Sequence, residues 1–263
     1  MKSVKRFFSE RKLNLICSIV SLIFIFAVWI IAYYSVKNDF IVPSLNDTFS
    51  SFFMCLAESS FWIAFAFTFL RCALSAVLSF FLAAIFAIFS VLSKIFSAMV
   101  KPVVAVIRAL PTLAVVLILL IWTSPNAAPV IVTMLVLFPM AYTQLIAAIN
   151  GIDDGFIEMA RVYEIPFRDR LFKMYLPLIS PNILLHTGAN ISLGIKVMIS
   201  AEVLANTYKS LGGLMQEARL YAEMPRLAAL TVVAVLVGLI IEFVFYGIGR
   251  LTFKWNKREG RND

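Results

Sequence analysis

The chain has 263 residues, of which 62% are hydrophobic and 14% charged, with a formal net charge of +8. Soluble domains typically carry about 25% charged residues, so a sizeable soluble domain is excluded and an integral membrane protein is indicated. The basic excess does not point to nucleic acid, because Lys and Arg fall between apolar runs, where membrane lipid headgroups and the positive-inside rule account for them.

Lys2, Lys5, Arg6, Arg11 and Lys12 form a basic leader before a first span over about 15–34. No small-residue cleavage site follows this apolar run, so it is read as a retained span. Residues 37–60 interleave Asp39, Pro43, Asn46, Asp47 and Glu58 with Phe40, Phe49, Phe52 and Phe53. That mixture is too polar to span and predicts an external loop with an interfacial helix. The second span covers about 61–92 and carries Arg71, expected to snorkel, to pair with a carboxylate or to meet a ligand.

Lys94, Lys101 and Arg108 mark a return to the cytoplasm before a third span over about 103–122, which Pro111 is expected to kink. A fourth span covers about 128–150, with Pro129 near its start and Pro139 inside. A charged island follows it. A fifth span runs from about 176 to 195 and on toward Glu202, and residues 206–226 read as an outer loop with Gly212 and Gly213 as a flexible turn. The sixth covers about 227–249, and Arg250, Lys254, Lys257, Arg258 and Arg261 make a basic tail.

With six spans and both termini inside, 17 of the 23 Lys and Arg residues fall in cytoplasmic segments. The expected organisation is a leader, first span and external segment over 1–60, a six-helix core completed by 61–255, and a tail over 256–263.

The sequence has no phosphate-binding glycine loop, dinucleotide glycine pattern, zinc signature or nucleophile elbow. Cys17, Cys55 and Cys72 are scattered and read as packing residues, and His186 is the sole histidine. A membrane enzyme therefore lacks a reactive constellation, and no metal or bound cofactor is expected. Glu202 and Glu242 are the only intramembrane carboxylates available to a proton-driven secondary carrier, the rival class. Such carriers often show an internal repeat, and none is visible.

Residues 158–177 are the most charged internal segment. They read as two short amphipathic helices. Asp153 or Asp154 caps the first. Ile165-Pro166 breaks the run, and Pro166 starts the second. A headgroup-bound basic loop is the plainer alternative.

The spacing resembles the signature of binding-protein-dependent ABC importer permeases, which runs Glu-Ala-Ala, three residues, Gly, nine residues, Ile, one residue, Leu-Pro. Glu158, Ala160, Leu176 and Pro177 match; Met159, Met174 and Glu164 stand for the second Ala, the Ile and the Gly. Thr68-Phe-Leu-Arg71, Arg108-Ala-Leu-Pro111-Thr112, Phe138-Pro139, Ala201-Glu202-Val and Leu211-Gly-Gly-Leu-Met215 extend the resemblance over about 43–255. It is most similar to the nitrate, sulfonate and taurine branch, which also includes permeases for thiamine-precursor pyrimidines.

The resemblance implies an all-α, six-helix permease of the type I importer fold in the bacterial plasma membrane. It would form a homodimer on two copies of a separate ABC ATPase that uses ATP and Mg, with a periplasmic or lipid-anchored binding protein delivering the solute. Carried over by position, Glu158, Met159, Ala160, Arg161, Tyr163, Glu164, Pro166, Arg168, Arg170, Leu176 and Pro177 would form the ATPase-coupling loop within 151–175 and its junction with the next span. Arg71, Pro111, Asn190, Ser192, Lys196, Ser200 and Glu202 are the candidates for the pathway or gate. For Lys196 and Glu202, plain interfacial salt contacts are the competing role.

Overall fold

The computed structural model describes residues 2–252 and is all-helical over them. The basic tail beyond 252 and the side chains of the leader lie outside the described residues. Helix α1 (Lys2–Val36) carries the first apolar run, and α2 (Leu45–Ala57) follows as the expected short helix. Ser44 caps α2 by accepting from the Asp47 amide.

Helix α3 (Ser59–Leu92) buries a stripe of small residues, Ala64, Thr68, Cys72, Ser75, Ser79, Ala83, Ala87 and Ser90. Without a hydrophobic drive between helices in lipid, small side chains let backbones approach. The part from Ser75 to Ser90 faces α6 (Ala128–Asn150), while Thr68 and Cys72 meet the helix at 176–205, and three hydroxyls cross the seam with α6. The Ser75 and Ser79 hydroxyls donate to the Val130 and Met134 carbonyls at 3.0 Å, and Ser90 pairs with the Tyr142 hydroxyl at 2.9 Å. Each such bond contributes about 0.6 kcal/mol in a membrane. Helix α6 lies between α3 and α9 (Leu176–Ala205), and α11 (Met224–Thr252) closes the other side of α9. Helix α2 lies against α11, where Arg226 reaches Glu58 at 2.9 Å.

The third span is not one kinked helix. It is a pair, α4 (Lys94–Ala109) and α5 (Thr112–Trp122), meeting at 94°. Leu110 is extended because the residue before a proline avoids the helical region, and Pro111 is extended too. Two consecutive extended residues turn the chain instead of bending a continuous helix. Five helices are long and apolar enough to span a membrane, or six with the bent pair counted as one.

The outer-loop reading of 206–226 also needs correction, because α10 (Leu211–Leu220) forms there. Gly212 lies in its first turn and is no flexible hinge. A Cβ at Gly212 would sit 2.4 Å from the Glu202 Cβ and 2.6 Å from the Val203 amide nitrogen, so the residue is glycine for close approach. Cys55 and Cys72 are buried, and burial pushes the Cys55 thiol above its ordinary pKa. Cys17, by contrast, is exposed on α1.

Candidate functional site

Three groupings bring the sequence candidates together. The first is a polar cluster at the α10 end of the bundle. Glu202 has no exposed surface. Its Oε2 accepts from the Thr68 hydroxyl at 2.8 Å and the Gly212 amide at 3.3 Å, and its Oε1 pairs with Arg71 at 3.2 Å. The Arg71 guanidinium also donates to the Tyr208 and Lys209 carbonyls and to the Asn126 side chain, at 3.2–3.3 Å. The Thr68 hydroxyl accepts from the Leu211 amide at 2.9 Å. One ion pair thus ties α3, the 123–127 turn, the end of α9, the 206–210 loop and α10 together. Glu202, expected to face a cavity or gate, is enclosed, and its partner is Arg71, not Lys196.

The second grouping is a groove of about 150 Å³ between α5, α6 and α9, lined by Thr112, Val116, Val132, Lys196, Ser200 and neighbours. Lys196 and Ser200 are both exposed there. Pro111, also exposed, precedes α5 at the groove's edge. The other two pathway candidates lie elsewhere. Asn190 exchanges two hydrogen bonds with Gln144 of α6, at 2.7 and 3.1 Å. Ser192 is buried, with its hydroxyl oxygen 3.0 Å from where a Gly238 Cβ would sit on α11.

The third grouping is the charged island. Helix α7 (Asp154–Val162) starts at Asp153, whose side chain accepts from the Gly155 amide at 2.7 Å. It ends in a Schellman turn: the Glu164 amide donates to the Arg161 carbonyl at 3.1 Å and the Ile165 amide to the Ala160 carbonyl at 3.0 Å. Glu164 has φ 47°. The left-handed turn that glycine favours therefore forms with glutamate in its place. Ala160 is fully buried under it. Arg170 fastens the same turn by donating to the Ile165 carbonyl at 3.1 Å.

The second short helix is not free-standing. Residues Phe167–Asp169 (α8) run into a π-helix, Arg170–Tyr175, which passes directly into α9 at Leu176 and Pro177. Glu158, Met159, Arg161, Tyr163, Pro166 and Arg168 all remain exposed. Among them stand uncovered apolar side chains, Phe156 and Met159 at 45% and 42% exposure and Val162 and Tyr163 at 78% and 75%.

Residues 76–255 match the family model described as "Binding-protein-dependent transport system inner membrane component". The chain belongs to this family. The matched stretch starts within α3 and takes in the groove, Glu202 and the whole island; Arg71, α1 and α2 lie before it. A curated relative in Bacillus subtilis (strain 168), named "Putative aliphatic sulfonates transport permease protein SsuC", is 28% identical over 163 residues. That alignment covers 60% of this chain and 58% of the relative, so the chain spans under two thirds of the length of the curated protein it matches.

The several apolar helices agree with a multi-pass inner membrane component of such a transport system. The described residues hold no group of His, Cys, Asp and Glu able to bind a metal. Two polar partners in this permease escaped the sequence reading, Gln144 and Asn126. An amide well inside the apolar run 128–150 is the available signal for Gln144. Asn126 sits in a short turn and gave none.

Proposed function

We propose that the protein is the membrane permease of an ATP-driven importer, passing a small organic anion of the sulfonate type that a binding protein delivers. The observation that carries the reading is α7. It presents exposed Phe156, Met159, Val162 and Tyr163 between the charges of Glu158 and Arg161, and it connects through Ile165 and the π-helix to α9. Apolar anchors ringed by charge suit a protein cleft better than water. In this reading two copies of the permease sit on two ATPase subunits, and both termini are cytoplasmic. ATP and Mg are used by the ATPases. Glu158 and Arg161 make charge-assisted contacts to them, Ala160 and Arg170 hold the turn, and the groove at Lys196 and Ser200 lines the pathway. The sulfonate class follows the curated relative.

The test is co-purification with a candidate ABC ATPase subunit expressed together with this protein, together with uptake of ethanesulfonate into proteoliposomes. Glu158→Ala is expected to weaken co-purification at least fivefold, and deletion of 156–171 to abolish it. Transport without any ATPase subunit would instead establish a secondary carrier.

A further inference from the structure

Three basic residues lie in the spans carried by α3, α6, α9 and α11: Arg71, Lys196 and Arg226. Arg71 is paired with Glu202, and Arg226 with Glu58 and Glu223. Lys196 alone has no acceptor among the described residues. It stands nine residues before the end of α9 at Ala205, roughly 14 Å at 1.5 Å per residue. That is about half of a hydrocarbon core some 30 Å thick. An ammonium at such depth is costly unless it pairs or faces a polar path. Its stem is accommodated by Gly238 of α11, where a Cβ would lie 3.6 Å from the Lys196 Cε. Glu242, the next carboxylate along α11, is one turn beyond Gly238 and forms no ion pair with Lys196. On its open side, Lys196 shares the 150 Å³ groove with Thr112 and Ser200.

We infer that Lys196 is the charge-selecting residue of the pathway: its ammonium is the counter-ion for the oxyanion head of a small organic solute, with the Thr112 and Ser200 hydroxyls beside it. The inference rests on the importer reading above and adds to it the residue that discriminates charge. A point charge with three donors suits a sulfonate or carboxylate in transit, because it attracts without the bidentate grip that would retain the anion.

The test uses the complete transporter, permease with its ATPase and binding protein, in proteoliposomes, with labelled ethanesulfonate as probe. Lys196→Met is expected to lower uptake at least tenfold while ATP hydrolysis by the assembled complex stays within twofold, and Lys196→Arg to stay within about threefold of the wild type. Uptake by Lys196→Met within twofold of wild type overturns the inference and leaves the importer reading standing. Absence of ethanesulfonate uptake by the wild type sinks the solute assignment and this role with it.

Should Lys196→Met fail to assemble, Lys196→Cys supplies the second arm. Treatment with an aminoethyl methanethiosulfonate, which restores a positive charge, is expected to restore uptake at least fivefold over the methyl reagent; wild type treated alike controls for the native cysteines. Equal uptake with both reagents would show that no charge is needed at this position.

Discussion

Glu202, with no exposed surface, and the part-buried Arg71 form a pair in which both Arg71 terminal nitrogens and both Glu202 oxygens have further partners or a shared one in the cluster. Such a pair adds little over an apolar replacement, but removing one partner leaves the other uncompensated, at about 3–5 kcal/mol. Arg71→Ala should therefore lower the thermal midpoint of the purified protein by many degrees. Gly212→Ala should do comparable damage, because its methyl would overlap Glu202 and the Val203 backbone. Gly247→Ala, with nothing within 4 Å of the new carbon, is the neutral control. Equal melting of all three would refute the cluster's structural role. The sequence made Arg71 conspicuous as an arginine in an apolar run, and a carboxylate partner was among the expected fates. It could not say which carboxylate, since Glu202 lies 131 residues away and sequence distance carries no information on which faces meet. Ser192 and Glu202 are polar positions in an otherwise apolar span. Polarity does not reveal whether a side chain in a span looks into a path or satisfies a neighbour.

The α7 turn depends on backbone conformation more than on side-chain type. A non-glycine residue in the left-handed region costs about 1–2 kcal/mol, and at Glu164 two Schellman bonds and the Arg170 fastening offset that cost. Glu164→Gly should keep this geometry and gain up to about 1 kcal/mol, less the entropy glycine adds to the unfolded chain. Ethanesulfonate uptake by that variant should be retained or improved. Lost uptake would mean that the Glu164 carboxylate, and not the turn, is what the partner needs. Element boundaries were largely readable: apolar runs placed α3, α6, α9 and α11 within a few residues. The right-angled break was not. A proline inside an apolar run signals a kink, and nothing local distinguishes a kink from a chain that leaves the helix for two residues.

Which helices touch was beyond the sequence, because almost every residue in a span is apolar on all sides and the discriminating feature is size. The small stripe of α3 selects α6, and Gly188 lets α11 close on α9, where a Cβ would lie 2.6 Å from that of Phe245. Beside the start of α5 the bundle leaves the groove that holds Lys196 and Ser200. The break at Leu110–Pro111 has a further consequence there. The Thr112, Leu113 and Ala114 amides begin a helix with no carbonyl behind them, and among the described residues none accepts from them. In hydrocarbon each orphan would cost several kcal/mol. Residues 112–114 are exposed, so water is the acceptor open to these amides. Deuterium should enter these three positions within seconds, while the amides in the middle of α6 stay protected for hours.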